Sequence, residues 1–422
     1  MTLFFAALSF LSLLVWLYLI ALRGRFWLAD QQLEEDLEEP ESWPAVVALV
    51  PARNEAEVIE HSLEGLLRQD YPGPFHVILI DDHSRDGTAR LASALAEKLG
   101  RQERFTLARA GELPGGWSGK VWALAAGWQE AQRIMPEARY IWLSDADIAH
   151  WLGNLRHLVT KAETEQRDMV SLMAMLPCES FWERLLIPPF VFFFQKLYPF
   201  RWVANPRRRI AAAAGGCILV NAEALGQAGG FGAIRGALID DCALARKVKA
   251  VAGERGRRIW LGLGTECESL RPYEDLQPIW DMVARSAYTQ LNHSPGKLAL
   301  TLLGMIVTYV VPPLALVGGL IGGLFLDISD IGAGLVIYLS GMGAWGLMAL
   351  AAWPTNKLYD QPFWMGFALP AAAVLYMAMT LDSVRRHRAG EGGRWKGRIQ
   401  AVHATAASRG EPGGLEEPGS DL

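Results

Sequence analysis

The sequence contains few of the residues that build zinc sites and disulfide frameworks. It has eight histidines and four cysteines among 422 residues, and the cysteines are Cys178, Cys217, Cys242 and Cys267. The cysteines form no C-x-x-C pair, they have no histidine near them at zinc-site spacing, and no H-E-x-x-H motif occurs. This pattern argues against a zinc site. We expect reduced, mostly buried thiols in a domain that faces the cytosol.

An excess of basic residues is also missing. The 40 Lys and Arg residues are outnumbered by 45 Asp and Glu residues, so the formal net charge is -5, and the basic residues are scattered among acids. Binding to the phosphates of a nucleic acid requires a basic face. The composition therefore argues against a nucleic-acid partner.

Uncharged runs, by contrast, are long enough to span a bilayer. Residues 1–22 carry no charge and are followed at once by Arg23 and Arg25, which predicts an N-terminal transmembrane helix. The run lacks a preceding basic segment and a small-residue cleavage site, which argues against a cleaved signal peptide. The positive-inside rule then places the N-terminus outside and the following domain in the cytoplasm.

Three further uncharged stretches follow near the other end of the sequence, at 298–326, 331–353 and about 361–381. They predict an integral membrane protein with its C-terminal membrane segments within 298–381. Three C-terminal spans would leave the tail, 382–422, outside. Near its start, however, the tail contains the basic sequence RRHR, which is typical of the cytoplasmic side. We predict that one segment, the one interrupted by Pro312 and Pro313, is re-entrant or interfacial and is covered by protein.

The middle of the chain, 44–290, follows an acidic linker at 23–43 and alternates short apolar runs with amphipathic segments. The predicted strands are 45–51, 75–82, 106–110, 140–145, 169–176 and 216–220. Apolar residues at helical spacing predict helices at 57–69 and 86–100. This alternation indicates an α/β fold with a mostly parallel sheet, flanked by helices. Ligands of such sheets bind outside the carboxyl ends of the strands.

Polar side chains follow three of these predicted strands. The sequences are Pro51-Ala52-Arg53-Asn54-Glu55, Asp81-Asp82 and Asp145-Ala146-Asp147. Asp145 and Asp147 stand two residues apart on a chain that is turning out of the sheet, so their carboxylates point in similar directions. Two such carboxylates can share a divalent cation.

The stretch 181–202 is rich in aromatic residues but contains Glu183, Arg184 and Lys196. This mixture favours an amphipathic segment at the membrane surface, and a large core helix with two prolines is the alternative. The last part of the tail is rich in Gly, Ser, Glu and Pro, a composition that is typical of disorder.

Each motif alone has an ordinary explanation. PARNEA (51–56) could be a turn, DDHSRDGT (81–88) an Asx turn with a helix cap, and DDCALARK (240–247) a helix start whose acids suit the helix dipole. GGWSGKV superficially matches a P-loop, but Pro114 replaces the first glycine and Val121 replaces the Ser/Thr. These departures argue against an NTPase.

Taken together, the motifs resemble those of family 2 glycosyltransferases of the GT-A fold. The six motifs, in the order of the family, are PARNEA, DDHSRDGT, GWSGKVWAL, LSDADI, GGCILV and DDCALARK. The resemblance covers roughly residues 44–290. The membrane segments are similar to those of family members that act on lipids, among them ceramide glucosyltransferases and carotenoid glycosyltransferases. The resemblance is closest to the hopanoid-biosynthesis-associated glycosyltransferases of bacteria.

This resemblance implies roles for the donor-side residues. Asp147 would be a direct ligand of Mg²⁺ or Mn²⁺, and Asp145 would assist it near the ribose and diphosphate of a nucleotide sugar. Asp82, with Asp81 beside it, would recognise the base of the nucleotide. The remaining donor-binding residues would be Pro51, Arg53, Glu55 and Lys120.

The resemblance also implies a general base. Asp241, with Asp240 before it, matches the late acidic pair of the family and would take the proton of the acceptor hydroxyl. Displacement in one step would invert the anomeric centre. A Q/R-x-x-R-W motif of processive members is absent from the comparable stretch, where Trp280 and Arg285 are weak candidates for a similar role.

The resemblance implies an inverting hexosyltransferase of the bacterial inner membrane, with its catalytic domain in the cytoplasm. It would move a single sugar from a nucleotide-sugar donor, expected to be a UDP-sugar, to a lipid hydroxyl, with a hopanoid as the suggested acceptor. A processive polysaccharide synthase and a non-catalytic membrane scaffold that binds nucleotide sugar are the alternatives. The RPY sequence at 271–273 could touch the diphosphate or the lipid, or be an ordinary loop.

Overall fold

An eight-stranded sheet organises the part of the chain that follows the first apolar helix. A computed structural model describes residues 1–34, 38–322, 331–390, 394, 395, 398 and 399. The strands are β1 Val46–Ala52, β2 Phe75–Asp81, β3 Phe105–Arg109, β4 Tyr140–Ser144, β5 Ile148–His150, β6 Arg167–Met175, β7 Cys217–Asn221 and β8 Arg258–Ser269. Their order in the sheet is β3-β2-β1-β4-β7-β6-β8-β5. The predicted α/β fold with a mostly parallel sheet is confirmed.

Helices cover both faces of the sheet and continue beyond it. They are α1 Thr2–Leu22, α2 Ile59–Leu67, α3 Thr88–Lys98, α4 Gly119–Ile134, α5 Asn154–Thr164, α6 Phe181–Leu197, α7 Phe200–Val203, α8 Ala222–Gln227, α9 Asp240–Glu254, α10 Leu276–Gln290, α11 Pro295–Met305, α12 Val311–Gly322, α13 Ile331–Leu358 and α14 Leu369–Arg388. A π-helical turn, Ile306–Val310, joins α11 to α12, and a 3-10 helix, Phe363–Ala368, precedes α14.

The parallel half of the sheet is buried on both faces. All seven residues of β1 and all seven of β2 are buried, and the two strands run in parallel register from Val46 opposite Phe75 to Ala52 opposite Asp81. Burial on both faces explains why these strands read as continuous apolar runs. Because β1, β2 and β4 are parallel neighbours, their polar carboxyl ends meet at one edge.

Two strands were not predicted from the sequence. β5 has only three residues, and β8 contains glycine, threonine and acidic residues instead of an apolar run. In β8 the Trp260 ring lies over Gly262, where an added Cβ would be only 2.0 Å from the ring. These strands pair with each other, and β8 pairs with β6, so tertiary pairing and not local composition creates them.

Among the described residues, four helices are long and apolar enough to cross a membrane: Thr2–Leu22, Pro295–Gly322, Ile331–Leu358 and Phe363–Arg388. The second and third run antiparallel, because Gly319 lies against Tyr338 and Gly341 lies against Leu316. An added Cβ on Gly341 would be 2.5 Å from the backbone nitrogen of Leu316. Small residues at such contacts allow apolar helices to pack closely.

The Pro312–Pro313 pair does not interrupt its helix, which continues from Pro295 to Gly322. A proline at position 312 cannot donate to the carbonyl four residues earlier. That carbonyl, on Thr308, instead accepts the indole N–H of Trp16 at 2.7 Å, and the π-helical turn lies just before the prolines. A partner helix therefore satisfies the freed carbonyl, as helices in a bilayer require.

Helix α6 lies between the sheet domain and the apolar helices. Ser180 and Glu183 form a capping box at its start, and near its end Gln195 donates to Thr355 of α13 at 3.2 Å. Pro188 and Pro189 lie inside this helix and are buried. The predicted interfacial segment is thus a helix that contacts both parts of the protein. Its position in a membrane stays a prediction, and the predicted disordered end of the tail lies outside the described residues.

Candidate active site

Arg271 joins the ends of three strands at the carboxyl edge of the sheet. Its Nε donates to Oδ2 of Asp147, which follows β4, at 2.6 Å, and its other arm donates to Glu55, which follows β1. Arg271 itself comes two residues after β8. The parallel arrangement of β1 and β4 brings these acids to one place. An arginine fork between two carboxylates holds both in fixed positions.

Lys120 joins the two acidic motifs that the sequence separates by almost 100 residues. Its Nζ lies 2.6 Å from Oδ1 of Asp145 and 3.5 Å from Oδ2 of Asp240. Burial lowers the pKa of Lys120, but the carboxylates of Asp145 and Asp240 outweigh burial and raise it above its usual value. Lys120 therefore stays positively charged. It stands at the start of α4, where Ser118 caps the helix.

The Asp241 carboxylate lies in the same cleft and is held by backbone groups. Oδ2 accepts the N–H of Gly215 at 3.0 Å, and Oδ1 accepts the N–H of Cys242 at 2.6 Å. Burial, and then the charge of Asp240, raise the pKa of Asp241 to about 6. The group is therefore ionised near pH 7 but more basic than an ordinary carboxylate, which suits a general base.

Gly215 marks the point where these groups converge. An added Cβ on this glycine would lie 3.1 Å from Nζ of Lys120, 3.6 Å from Oδ2 of Asp241 and 3.7 Å from Oδ2 of Asp145. Three functional groups from α4, α9 and the end of β4 thus surround one methyl-sized position. The cleft around them is also lined by Pro51. Gly215 is the first residue of the GGCILV motif, to which the sequence alone assigned no role.

Asp81 and Asp82, the acids predicted at the end of the second strand, lie at the last residue of β2 and directly after it. Arg53 donates to the backbone carbonyl of Asp82 at 2.5 Å, and its guanidinium is 3.5 Å from the Asp82 carboxylate. Asp81 accepts the N–H of Ser84 at 3.1 Å. Asp81 and Asp82 are both buried. The loops after β1 and β2 are therefore tied together next to the cleft.

Asp86 holds the same two loops together from the other side. It accepts the N–H of Ala56 at 2.9 Å and the N–H of Thr88 at 3.0 Å. The Thr88 hydroxyl in turn accepts the N–H of Glu55 at 2.8 Å. The bond from Thr88 to Asp86 forms the Asx turn that the sequence allowed. The DDHSRDGT motif therefore forms an Asx turn at Asp86 and also places Asp81 and Asp82 beside the loop after β1.

The chemistry of the cleft fits a divalent cation. The five carboxylates of Glu55, Asp145, Asp147, Asp240 and Asp241 share the basic partners Lys120 and Arg271. Burial raises the pKa of Asp145, Lys120 lowers it, and the charge of Asp147 raises it again, with a net upward shift. Hard oxygen ligands with excess negative charge suit Mg²⁺ or Mn²⁺.

Trp280 and Arg285, the weak candidates for the role of the Q/R-x-x-R-W motif, are not among the residues that contact the acids of the cleft in the contacts described above. Trp280 donates its indole N–H to Asp382 of α14 at 2.9 Å, so its polar edge faces that helix. Arg285 is exposed on α10. Arg271, by contrast, lies between Glu55 and Asp147, whereas the sequence left the RPY stretch open between a ligand contact and an ordinary loop. The sequence pointed only weakly to Arg271, because this residue follows β8, a strand that the composition did not predict.

A second cluster, His150, Cys217 and Cys267, is buried beneath the acids, with its potential ligand atoms within 4.8 Å of one another. The His150 ring nitrogens are 2.8 Å from Ser144 Oγ and 2.8 Å from Asn154 Nδ2. Both nitrogens therefore already have hydrogen-bond partners. Because Ser144 Oγ also donates to the Asp145 carbonyl at 3.1 Å, we interpret the cluster as a support for the strand end that carries Asp145.

Comparison with protein families finds one match within this sheet domain. Residues 47–228 match the model of glycosyl transferase family 2. The match covers less than half of the chain, so this stretch is similar to glycosyl transferase family 2. A search of curated proteins found no match. The family match includes the loops after β1, β2 and β4 and the lysine at the start of α4, whereas α9, with Asp240 and Asp241, lies beyond it.

Solved structures support the same GT-A fold. The mannosyltransferase PcManGT from Pyrobaculum calidifontis, solved with GDP-Man and Mn²⁺, is 18% identical; the match covers 90% of this chain and 99% of that chain, with a TM-score of 0.50. TarS from S. aureus is 14% identical, over 58% of this chain and 40% of its own, with a TM-score of 0.38. The first likeness shows the fold, and the second is too distant to add to it.

Proposed function

We propose that the protein is a membrane glycosyltransferase that transfers a single sugar from a nucleotide-sugar donor to a lipid hydroxyl, with inversion. The observation that carries the proposal is the position of Lys120 between Asp145 and Asp240, at 2.6 and 3.5 Å. It unites the donor motif and the base motif in one cleft. A reaction that joins a donor to an acceptor requires both in one place.

The donor would bind along the loops after β1, β2 and β4. Asp82 and Asp81, with Arg53, would recognise the nucleotide base, which we propose to be uracil. Lys120 would meet the diphosphate, and Pro51 would line the same pocket. Glu55 would act on the donor side by holding Arg271 beside Asp147. Arg271 would then stand close to the phosphates.

Asp147 and Asp145 would hold Mg²⁺ or Mn²⁺. When bound, the cation offsets the negative charge that accumulates on the departing diphosphate. PcManGT, whose fold this chain shares, was solved with Mn²⁺ and GDP-Man, which supports a divalent cation here. Mg²⁺ would serve the same purpose, because it also prefers oxygen ligands.

Asp241 would receive the proton of the acceptor hydroxyl as its oxygen attacks the anomeric carbon. Gly215 and Cys242 donate their N–H groups to its two oxygens and so fix its orientation. Asp240 raises its pKa, which strengthens it as a base. One such base and one displacement imply inversion of the sugar.

The acceptor would reach this cleft from the bilayer along α6. The RPY loop connects the two, because Tyr273 donates its N–H to Glu183 at 2.6 Å and Arg271 contacts Asp147. The other end of α6 contacts α13 through Gln195. A series of contacts therefore connects the apolar helices to the acids, and we propose a hopanoid-type lipid in the bacterial inner membrane as the acceptor.

Gly215→Ala tests the convergence of groups in this cleft. The new methyl would press on Nζ of Lys120, 3.1 Å away, and displace it from Asp145 and Asp240. We expect sugar transfer to fall about 10-fold or more, because small misplacements in a cleft are costly. The matched control is Gly253→Ala on α9, where an added Cβ meets nothing within 4 Å. Equal activities of the two variants would contradict the proposed role of Lys120 between Asp145 and Asp240.

The proposed function is tested by combining a purified enzyme with a deletion strain. Purified protein with a UDP-sugar, Mn²⁺ and membrane lipids should yield a lipid that carries one sugar. A deletion strain should lack a glycosylated hopanoid and regain it with the intact gene. Polymeric product would indicate a processive synthase, and the absence of any donor turnover would indicate a scaffold. An unchanged lipid profile would exclude the hopanoid as acceptor.

A further inference from the structure

The last apolar segment starts and ends on the same side of the protein. It follows α13, whose final turn leads to Tyr359, and the hydroxyl of Tyr359 accepts the N–H of Leu176 at 3.4 Å. Leu176 comes directly after β6 of the sheet domain. The connection between α13 and the next segment is therefore located at the glycosyltransferase domain.

From this connection the chain runs back along α13. The Phe363 ring packs on Trp353 with centroids 5.6 Å apart, and the Phe367 ring packs on Trp345 at 5.6 Å. The Trp345 indole also donates to the carbonyl of Phe367 at 3.2 Å. From Phe363 to Phe367 the chain advances by four residues, and over the same distance its contact on α13 moves back from Trp353 to Trp345. The two segments therefore run in opposite directions. From Tyr359 at the domain to Trp345 beside Phe367, α13 advances by fourteen residues, or about 21 Å, which is short of the roughly 30 Å hydrocarbon core of a bilayer.

The chain then reverses direction and α14 returns to the sheet domain. Near its middle, Tyr376 donates to the carbonyl of Leu186 on α6 at 2.9 Å. Near its end, Ser383 accepts the N–H of Tyr288 on α10 at 3.0 Å. Helix α10 belongs to the sheet domain, because its Ile279 is buried in the same core as the strands. The segment that leaves the domain at Tyr359 is therefore back at the domain by Ser383.

Ion pairs and ring stacking secure this returning end. Arg386 contacts Asp281 of α10 at 2.6 Å, and Asp382 accepts the indole N–H of Trp280 at 2.9 Å. The His387 ring stacks on His293, with centroids 4.1 Å apart. Four contacts to α10 and to the residues just after it are difficult to reconcile with an end on the opposite side of a membrane.

We propose that residues 361–388 form a re-entrant hairpin that enters the bilayer from the glycosyltransferase side and returns to that side. The proposal moves the re-entrant segment from the Pro312–Pro313 helix, which is continuous, to the last apolar segment. The helices α1, α11–α12 and α13 would then be the membrane crossings. The basic end of α14, with Arg385, Arg386 and Arg388, would lie beside the catalytic domain, as the positive-inside rule requires.

The hairpin also provides a surface for one leaflet of the bilayer. Trp364, Phe367, Val374 and Leu381 are 64%, 40%, 49% and 50% exposed, and Val374 and Leu381 lie seven residues apart on one face of α14. We assign this exposed surface, with Trp364, to the lipid acyl chains of one leaflet.

Cysteine accessibility in the full-length protein tests the hairpin. Single variants would be treated with a membrane-impermeant maleimide in spheroplasts and in inside-out vesicles. Ala389→Cys should react only from the side on which Glu97→Cys, on α3 of the sheet domain, reacts. Gly332→Cys, at the start of α13, should react only from the opposite side. Wild-type protein gives the background from its own four cysteines.

Trp364→Cys tests whether the hairpin enters the lipid. It should be unreactive from both sides of intact membranes, although its thiol is counted in full after dissolution in SDS. If this variant does not accumulate, Val374→Cys takes its place. The proposal is overturned if Ala389→Cys reacts from the Gly332→Cys side, or if Trp364→Cys reacts from the domain side. Cross-linking of Trp364→Cys to a second copy by a bifunctional maleimide would also overturn it. None of these readouts depends on sugar transfer.

Discussion

Replacing Asp241 by asparagine should abolish sugar transfer and leave donor binding almost unchanged. The amide cannot accept the proton of the acceptor hydroxyl, and a positioned base is typically worth about 10²–10⁴ in rate. Donor binding would be retained because Lys120 reaches Asp145 and Asp240, not Asp241, in its closest contacts. Transfer of labelled sugar and binding of the donor, measured on the same preparation, check the result.

The substitution has a structural cost that must be separated from catalysis. Both oxygens of Asp241 accept backbone N–H groups, so the NH₂ of asparagine would face one of these donors. We expect a loss of about 1–3 kcal/mol in stability, which thermal unfolding would detect. Glu254→Gln, at the exposed far end of the same helix, is the matched control. A collapse of donor affinity in Asp241→Asn, with the fold intact, would show that Asp241 is not primarily the base.

The ends of the buried strands were predictable because each is marked locally by a change from apolar to polar residues. A buried strand such as β4 must be apolar, and the change to Asp145-Ala146-Asp147 marks the point where it leaves the core. Once the sheet was known to be parallel, the acids after β1, β2 and β4 had to meet at one edge. The presence of Lys120 near these acids was expected only by resemblance, and the structure shows its contacts with Asp145 and Asp240.

The remaining parts of the site depend on contacts between distant segments. Arg271 lies 124 residues after Asp147 along the chain, at the end of a strand that tertiary pairing creates. Gly215 belongs to the GGCILV motif, but its role depends on the space beside Lys120, Asp145 and Asp241, which only the folded chain shows. The direction of the last apolar segment was equally hidden, because an uncharged run has the same composition whether it crosses a bilayer or turns back within it.

The sheet domain and the proposed hairpin meet through α6 and α10. Helix α10 follows the RPY loop, which contacts Asp147 through Arg271, and its Trp280 bonds to Asp382 of α14. The first turn of helix α6 contacts the same loop, through Glu183 and Tyr273. The carbonyl of Leu186 on α6 also accepts the hydroxyl of Tyr376 of α14. The proposed lipid surface is therefore attached directly to the elements that frame the acids. This arrangement would admit a lipid acceptor from one leaflet without requiring it to leave the membrane.

Replacing Asp147 by alanine should abolish metal-dependent turnover of the nucleotide sugar. Arg271 would keep its contact with Glu55, so we expect the loop to stay in place while a cation ligand is lost. A Lewis-acid cation typically contributes several kcal/mol, so we expect a rate loss of about 10²-fold or more. The measurement is hydrolysis of a UDP-sugar by purified protein during titration with Mn²⁺ or Mg²⁺.

Metal removal provides the complementary measurement for Asp147. Treatment of the wild type with EDTA should reproduce the loss, and added Mn²⁺ should restore the wild type but not Asp147→Ala. Asp70→Ala is the matched control, because Asp70 also pairs with an arginine, Arg156, at 3.1 Å, but on the exposed surface. Its metal activation should equal that of the wild type. Full turnover by wild-type protein after exhaustive EDTA treatment would remove the metal from the mechanism and leave Arg271 and Lys120 as the groups that face the diphosphate.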